Sequence, residues 1–207
     1  MRLANPHKLF KSLLPEIEDA VVKSQHCQRN WNLSQQIADE DIELFKSAVT
    51  LCPSKQNHCF YEVSFIQNRQ LIERIHENTV GFGVPVDSEM IYTTNPQTLA
   101  NLLVVFEYSR KIMFGTYDEW KRDADMSIGI ASGYLNLISA MLNYKTGYCA
   151  CFDSNHIKSI LNTENDIALM IGIGIGDDSK ERTLHHNNSD FNFPAFKKQD
   201  IKINVYI

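Results

Sequence analysis

The chain has 207 residues, 43% hydrophobic and 22% charged, enough for one domain that buries roughly 70% of its extended-chain surface without disulfide or metal staples. A net charge of −5 argues against a broad basic face for nucleic acid, and no apolar run approaches the ~20 residues of a membrane-spanning helix. Five scattered cysteines (Cys27, Cys52, Cys59, Cys149 and Cys151) read as reduced thiols, and the opening MRLANPHKLFKSLLPE lacks the apolar centre of an export signal, so a cytoplasmic protein is expected.

Apolar residues at helical spacing predict a helix over 6–23, with a break or fresh start at Pro15. A polar link over 24–34 leads to a second helix starting near Asp39, whose side chain is expected to cap it and whose buried stripe is Ile42, Phe45, Ala48 and Val49. Pro53 stops that helix. Alternation over 61–66 predicts a strand, 70–78 a short helix, and 79–97, punctuated by glycine and proline, an irregular segment. The unalternating run at 102–106 reads as a central strand covered on both faces.

The clearest helix runs over 118–144; its middle is apolar nearly all round and rich in small residues, which predicts burial on most sides, with Gly147 placed to end it. Strands are expected at 148–152 and 167–175, a helix at 154–161, and two strand-like pieces flanking Pro194. Helices and strands mix without a βαβ rhythm, so the expected class is α+β, a central mixed sheet flanked by helices.

Isolated motifs carry little. Gly172-Ile-Gly-Ile-Gly176 lacks the following apolar helix of a dinucleotide fingerprint, and Asp177 and Asp178 would repel phosphate; a strand end approached closely by another backbone or a flat ligand is the better reading. Cys149-x-Cys151 has no partners at zinc spacing and reads as buried structural thiols, so no metal is expected. His185-His186 reads as a solvated surface pair, His26 and Cys27 make a poor nucleophile and base, and Lys180-x-Arg182 alone is two solvated charges.

Taken in order over about 26–182, these segments resemble the FMN-dependent nitroreductase family. Gln25-His-Cys-Gln-Arg-Asn-Trp31 resembles its opening signature, and Pro53-Ser-Lys-Gln-Asn57 is similar to its Pro-Ser-x-x-Asn loop before a strand. Asn95-x-Gln97 resembles a polar flavin-contacting segment, the small-residue helix with Gly147-Tyr-Cys-Ala-Cys-Phe-Asp153 resembles the central helix and following strand, and Lys180-x-Arg182 the closing phosphate clamp. The resemblance implies a homodimer of single 1–207 domains, with 191–207 extending over the partner subunit and FMN bound at the interface.

By that resemblance Lys180 and Arg182 hold the phosphate. Gln25, His26 and Cys27 lie beside phosphate and pyrimidine, and Arg29 is a cation at N1/O2 that favours the reduced flavin. Pro53, Ser54 and Asn57 reach the flavin from the partner, and Asn95 and Gln97 bond the ring edge. Tyr148, Cys149, Ala150 and Cys151 pass beneath the ring, where the Cys151 N–H can bond N5. The implied activity is hydride transfer from NADH or NADPH through FMN to a small-molecule acceptor such as a nitroaromatic or quinone, with no catalytic acid or base in the protein. Gln25 stands where arginine is usual and Cys27 where serine is usual. The alternatives are a flavoenzyme of the same fold with other chemistry (dehalogenation, dehydrogenation, flavin fragmentation) and a non-catalytic relative that binds FMN weakly.

Overall fold

In the computed structural model, which describes residues 11–86, 89–111, 115–195 and 197–206, five helices and eight strands follow the chain in the order α1 (Leu14–Ser24), α2 (Asp39–Leu51), β1 (Tyr61–Ile66), α3 (Arg69–His76), β2 (Gly83–Val86), β3 (Glu89–Tyr92), β4 (Leu102–Tyr108), α4 (Tyr117–Met141), β5 (Lys145–Cys149), α5 (Ser154–Leu161), β6 (Ile167–Gly174), β7 (Leu184–His185) and β8 (Asn188–Asn192). The main sheet has the order β1-β4-β6-β5. All three of its pairings are antiparallel, where a mixed sheet is expected from the sequence. The reason is topological: β4 and β5, joined by the α4 crossover, run the same way, but β6 returns between them and pairs with both.

Period-two burial sorts this sheet into two cores. Leu102, Val104, Phe106, Ile171 and Ile173 face α2 and α4, where Phe45, Val49, Ile128 and Leu135 meet them. Leu103, Val105 and Met170 face α3 and α5 through Ile72, Ile75 and Ile157. The two central strands are therefore covered on both sides, as their unalternating sequence requires.

Most element boundaries fall within a few residues of those expected, and the differences have local causes. Residues 1–5 and part of the first expected helix lie outside the described residues; α1 opens with Pro15 in its first turn, where the missing N–H costs nothing. The residue before α2 is Ala38, which offers no side-chain cap, and Asp39, Glu40 and Asp41 stabilise the first turn through the helix dipole instead. The 79–97 segment is not irregular: it forms the β2–β3 hairpin and runs into a 3₁₀ turn, Pro96–Leu99, whose start Asn95 caps by accepting from the Gln97 N–H at 3.1 Å.

Helix α4 opens with a reciprocal capping box between Thr116 and Glu119 and ends at Met141, six residues before Gly147, which lies within β5. It is buried along one face only, through Ala124, Ile128, Ala131 and Leu135. The opposite face exposes Met126, Ile130, Tyr134 and Met141, and a Cβ added at Gly129 or Gly133 would meet nothing within 4 Å. The all-round apolar character thus serves the core on one side and an open surface on the other.

After β6 the chain forms the β7–β8 hairpin and then an extended tail. Phe191 and Phe193, within the segment expected to extend over a partner, pack into their own chain; from Pro194 on the described residues are exposed, Ile201, Ile203 and Val205 by more than 70%.

Candidate functional site

The segment after α1 runs along the β5 edge. Cys27 bridges Thr146, the Gln28 N–H donates to the Thr146 carbonyl at 2.7 Å, and Trp31 bridges Gly176 beyond β6. A Cβ at Gly147 would lie 2.8 Å from both the Gln28 carbonyl oxygen and the Gln97 Cβ. Gly172 has the same role under the 3₁₀ turn, where a Cβ would strike the Gln97 carbonyl oxygen. The glycine-rich strand is therefore glycine-rich because another backbone lies on it, one of the two readings its sequence offers.

Asn30 fastens this segment to the loop that follows β6. Its amide nitrogen donates to the Glu181 and Leu184 carbonyls, each at 2.7 Å, and the Asp177 N–H donates back to the Asn30 carbonyl. As a result Arg182 donates to the Cys27 carbonyl at 3.4 Å, and the Arg29 and Arg182 charges are near enough to repel. Burial, opposed by Cys27 and reinforced by Arg182, lowers the Arg29 pKa from its ordinary value. The Arg29 Nε is buried without a hydrogen-bond partner, and its guanidinium carbon lies 4.6 Å from the centroid of the Phe193 ring.

Among the described residues no carboxylate pairs with Arg29 or Arg182, whereas nine lysines and arginines besides Lys180 have acidic partners. Lys180, nearly half exposed, lies 3.6 Å from Asp177. Two half-buried guanidinium groups held together without an anion are costly, and a bound anion would relieve that cost.

The other expected contacts fall into two groups. Asn95 and Gln97 are buried beside β5, the first occupied as a cap and the second packed on Gly147. The Tyr148 hydroxyl donates to the Ser132 carbonyl of α4 at 2.8 Å, and burial pushes its pKa up to about 12. Cys149 is buried, and burial raises its thiol to about 12 as well; Cys151, beyond the end of β5, is exposed, so the two cysteines are not a matched buried pair. The Cys151 carbonyl accepts from Val80 N–H at 2.8 Å, while its own N–H makes no hydrogen bond within the described residues. Gln25 and His26 are exposed, and Cys27 is half-buried.

Pro53, Ser54 and Asn57 stand apart. They precede β1, at the opposite edge of the sheet from β5. Ser54 donates to the His58 carbonyl at 2.8 Å, and Asn57 holds a left-handed conformation at φ 56°. Ser54 and Asn57 line a cavity of about 620 Å³ whose apolar walls are Val49, Tyr61, Val63 and Phe65. One chain therefore gathers twelve of the fifteen expected contacts around the β5 edge and holds the other three at the β1 edge.

His185, expected as a solvated residue, is buried and stacked on Phe193 at 6.0 Å, with Phe191 and His76 edge-on. His186 accepts the Trp31 N–H at its Nδ1, 3.1 Å away. Gln28, Asn30, His186 and Phe193 complete the neighbourhood of the two arginines, and of these only Phe193 belongs to no motif noted in the sequence.

The sequence matches no family model, and it matches no curated protein. Solved structures do match. A nitroreductase family protein from Clostridium novyi NT superposes with a TM-score of 0.65 at 15% identity, covering 86% of this chain and 96% of its own. A chain from Exiguobacterium sibiricum crystallised in complex with FMN gives 0.63 at 13% identity over 80% and 90%. CLA-ER, an enone reductase of gut-bacterial fatty acid saturation, gives 0.63 at 14% identity over 84% and 93%. The chain has the α+β fold of nitroreductase family proteins.

Proposed function

We propose that the chain is an FMN-dependent oxidoreductase that works as a homodimer and passes hydride from NADH or NADPH to a small acceptor of the nitroaromatic, quinone or enone kind. The observation that carries this reading is the pair Arg29 and Arg182, half-buried, adjacent and without a carboxylate partner among the described residues, in a fold that binds FMN in a structural neighbour. The residues suit the cofactor: two cations without a carboxylate partner among the described residues and the orphaned Arg29 Nε would meet a phosphorylated, electron-rich ligand, and the Cys151 N–H makes no hydrogen bond within the described residues.

When bound, FMN supplies the hydride chemistry itself. The protein's part is to hold and orient. Arg182 and Lys180 would hold the phosphate, Arg29 would offer a positive charge to the flavin ring, and the Cys151 N–H would be free to donate to it. The small side chains of Ala150 and Cys151 would leave room beneath it. Pro53, Ser54 and Asn57 cannot join this set within one chain, so they come from the second copy. That copy is held through the apolar face of α4 (Met126, Ile130, Tyr134), opened for close approach by Gly129 and Gly133. The tail, with Ile201, Ile203 and Val205 on alternate positions, lies over the partner.

Addition of FMN to the purified chain should quench flavin fluorescence, and anaerobic NADH or NADPH should then bleach the yellow complex. A chain that neither retains nor quenches FMN would sink the proposal; a yellow chain that neither nucleotide bleaches would sink its reductant.

A further inference from the structure

The hairpin that follows the phosphate clamp has no role in the reading above, yet it packs against one of its key residues. We infer that Phe193, carried by the β7–β8 hairpin, is a positioning residue for Arg29 and thereby tunes both the affinity and the reduction potential of the flavin site. The inference rests on the flavin reading and deepens it.

Three observations lead there. Arg29 makes no ion pair among the described residues and its Nε is unpartnered, so hydrogen bonds do not fix the direction of its guanidinium; the Phe193 ring 4.6 Å away does. Phe193 is in turn held rigidly: its N–H donates to the Thr183 carbonyl at 2.8 Å, its ring stacks on His185 at an interplanar angle of 17°, and Phe191 meets it edge-on at 4.9 Å. Finally, Thr183 directly follows Arg182, so a single closure sets the clamp arginine at the start of the hairpin and the ring over Arg29 at its end.

The hairpin is also latched to the segment that bears Arg29. His186 Nδ1 accepts the Trp31 N–H, and His185 Nδ1 accepts the Asn187 N–H at 3.1 Å, which leaves both imidazoles neutral acceptors at that nitrogen. A cation held by a ring face rather than by a carboxylate keeps its full charge for a ligand. A Glu or Asp in the place of Phe193 would neutralise the charge that the site needs.

The test is a double-mutant cycle on the full chain loaded with FMN. Phe193→Leu keeps the bulk but removes the ring; it should weaken FMN binding on the order of tenfold and shift the midpoint potential of the bound flavin to more negative values. Phe193→Tyr should restore both. In an Arg29→Gln background Phe193→Leu should add little, because its effect passes through Arg29. Additive losses, or a loss that Tyr does not rescue, would reduce Phe193 to ordinary packing and overturn the inference. If the wild-type chain binds no FMN, the flavin reading fails, and the inference is read instead on the Arg29 Nε–H resonance. A ring-current shift present in wild type and Phe193→Tyr and lost in Phe193→Leu supports it; a wild-type resonance at the random-coil position overturns it.

Discussion

At the β5 edge the chain assembles a polar, cationic site from four distant segments, with Arg29 and Arg182 locked in place by Asn30, the Cys27 carbonyl and Phe193. Along β1 the same sheet presents an apolar cavity, walled by Tyr61, Val63 and Phe65, beside a loop whose Ser54 and Asn57 point to no partner in the site. One edge gathers two half-buried guanidinium groups, and the other a largely apolar cavity. The contrast is intelligible if each copy supplies what the other lacks, and four changes would break or sharpen it.

The largest effect should come from the α4 face proposed to bring the edges together. Ile130→Asp with Tyr134→Asp places two charges in the open face of α4, away from the core, and should convert the dimer fully to folded monomer by size-exclusion chromatography, with FMN binding lost alongside. A monomer that binds FMN as tightly as before would show that the β5 edge suffices alone. Next, Lys180→Ala with Arg182→Ala should weaken FMN binding roughly 100-fold, since charge-assisted hydrogen bonds contribute about 1.5–3 kcal/mol each, while riboflavin, which lacks the phosphate, should bind as before.

On the β5 side, acid should act through His76. Burial, against an opposing hydrogen bond to the Asn95 carbonyl, holds His76 near pKa 4 in the fold, below its ordinary 6.5. Its Nδ1 lies 3.0 Å from the Asn95 carbonyl and 3.1 Å from Thr98, and His185, Arg69 and His186 add positive charge nearby. The unfolded chain therefore takes up a proton that the fold refuses, so stability is whole above pH 6.5 and is lost as pH falls toward 4. The slope reaches up to about 1.4 kcal/mol per pH unit for this one group, and His76→Gln should flatten that limb of a urea-denaturation series. Smaller again, Gly172→Ala should cost about 1–3 kcal/mol by pushing the Pro96–Leu99 turn off the sheet. The thermal midpoint reports it, and an unchanged midpoint would mean that the turn is free to lift.

The sheet and its covering helices were legible because they follow periodicity: Ile42, Phe45, Ala48 and Val49 are the buried stripe of α2, and Leu102 to Phe106 the doubly covered strand. What periodicity does not encode was missed. Whether an apolar surface of α4 meets the core or a second molecule is the same hydrophobic pattern, so an exposed face was read as buried. The 79–97 hairpin was hidden by its glycines and prolines, which mark turns as readily as loops.

At the site, Arg29 and Arg182 could be named from their place in a family pattern, and the chain brings them together. His185 could not be distinguished from a surface histidine, because its burial depends on Phe191 and Phe193, six and eight residues further on. Phe193 carried no motif at all; a cation–π contact joins residues 164 positions apart and leaves no spacing to read.

Native mass spectrometry of the purified chain with added FMN tests the central claim most directly. A site shared between two copies predicts one dominant species, a dimer carrying two FMN, with no flavin on any monomer. An FMN-loaded monomer, or a dimer that takes up no FMN at saturating concentration, would contradict it.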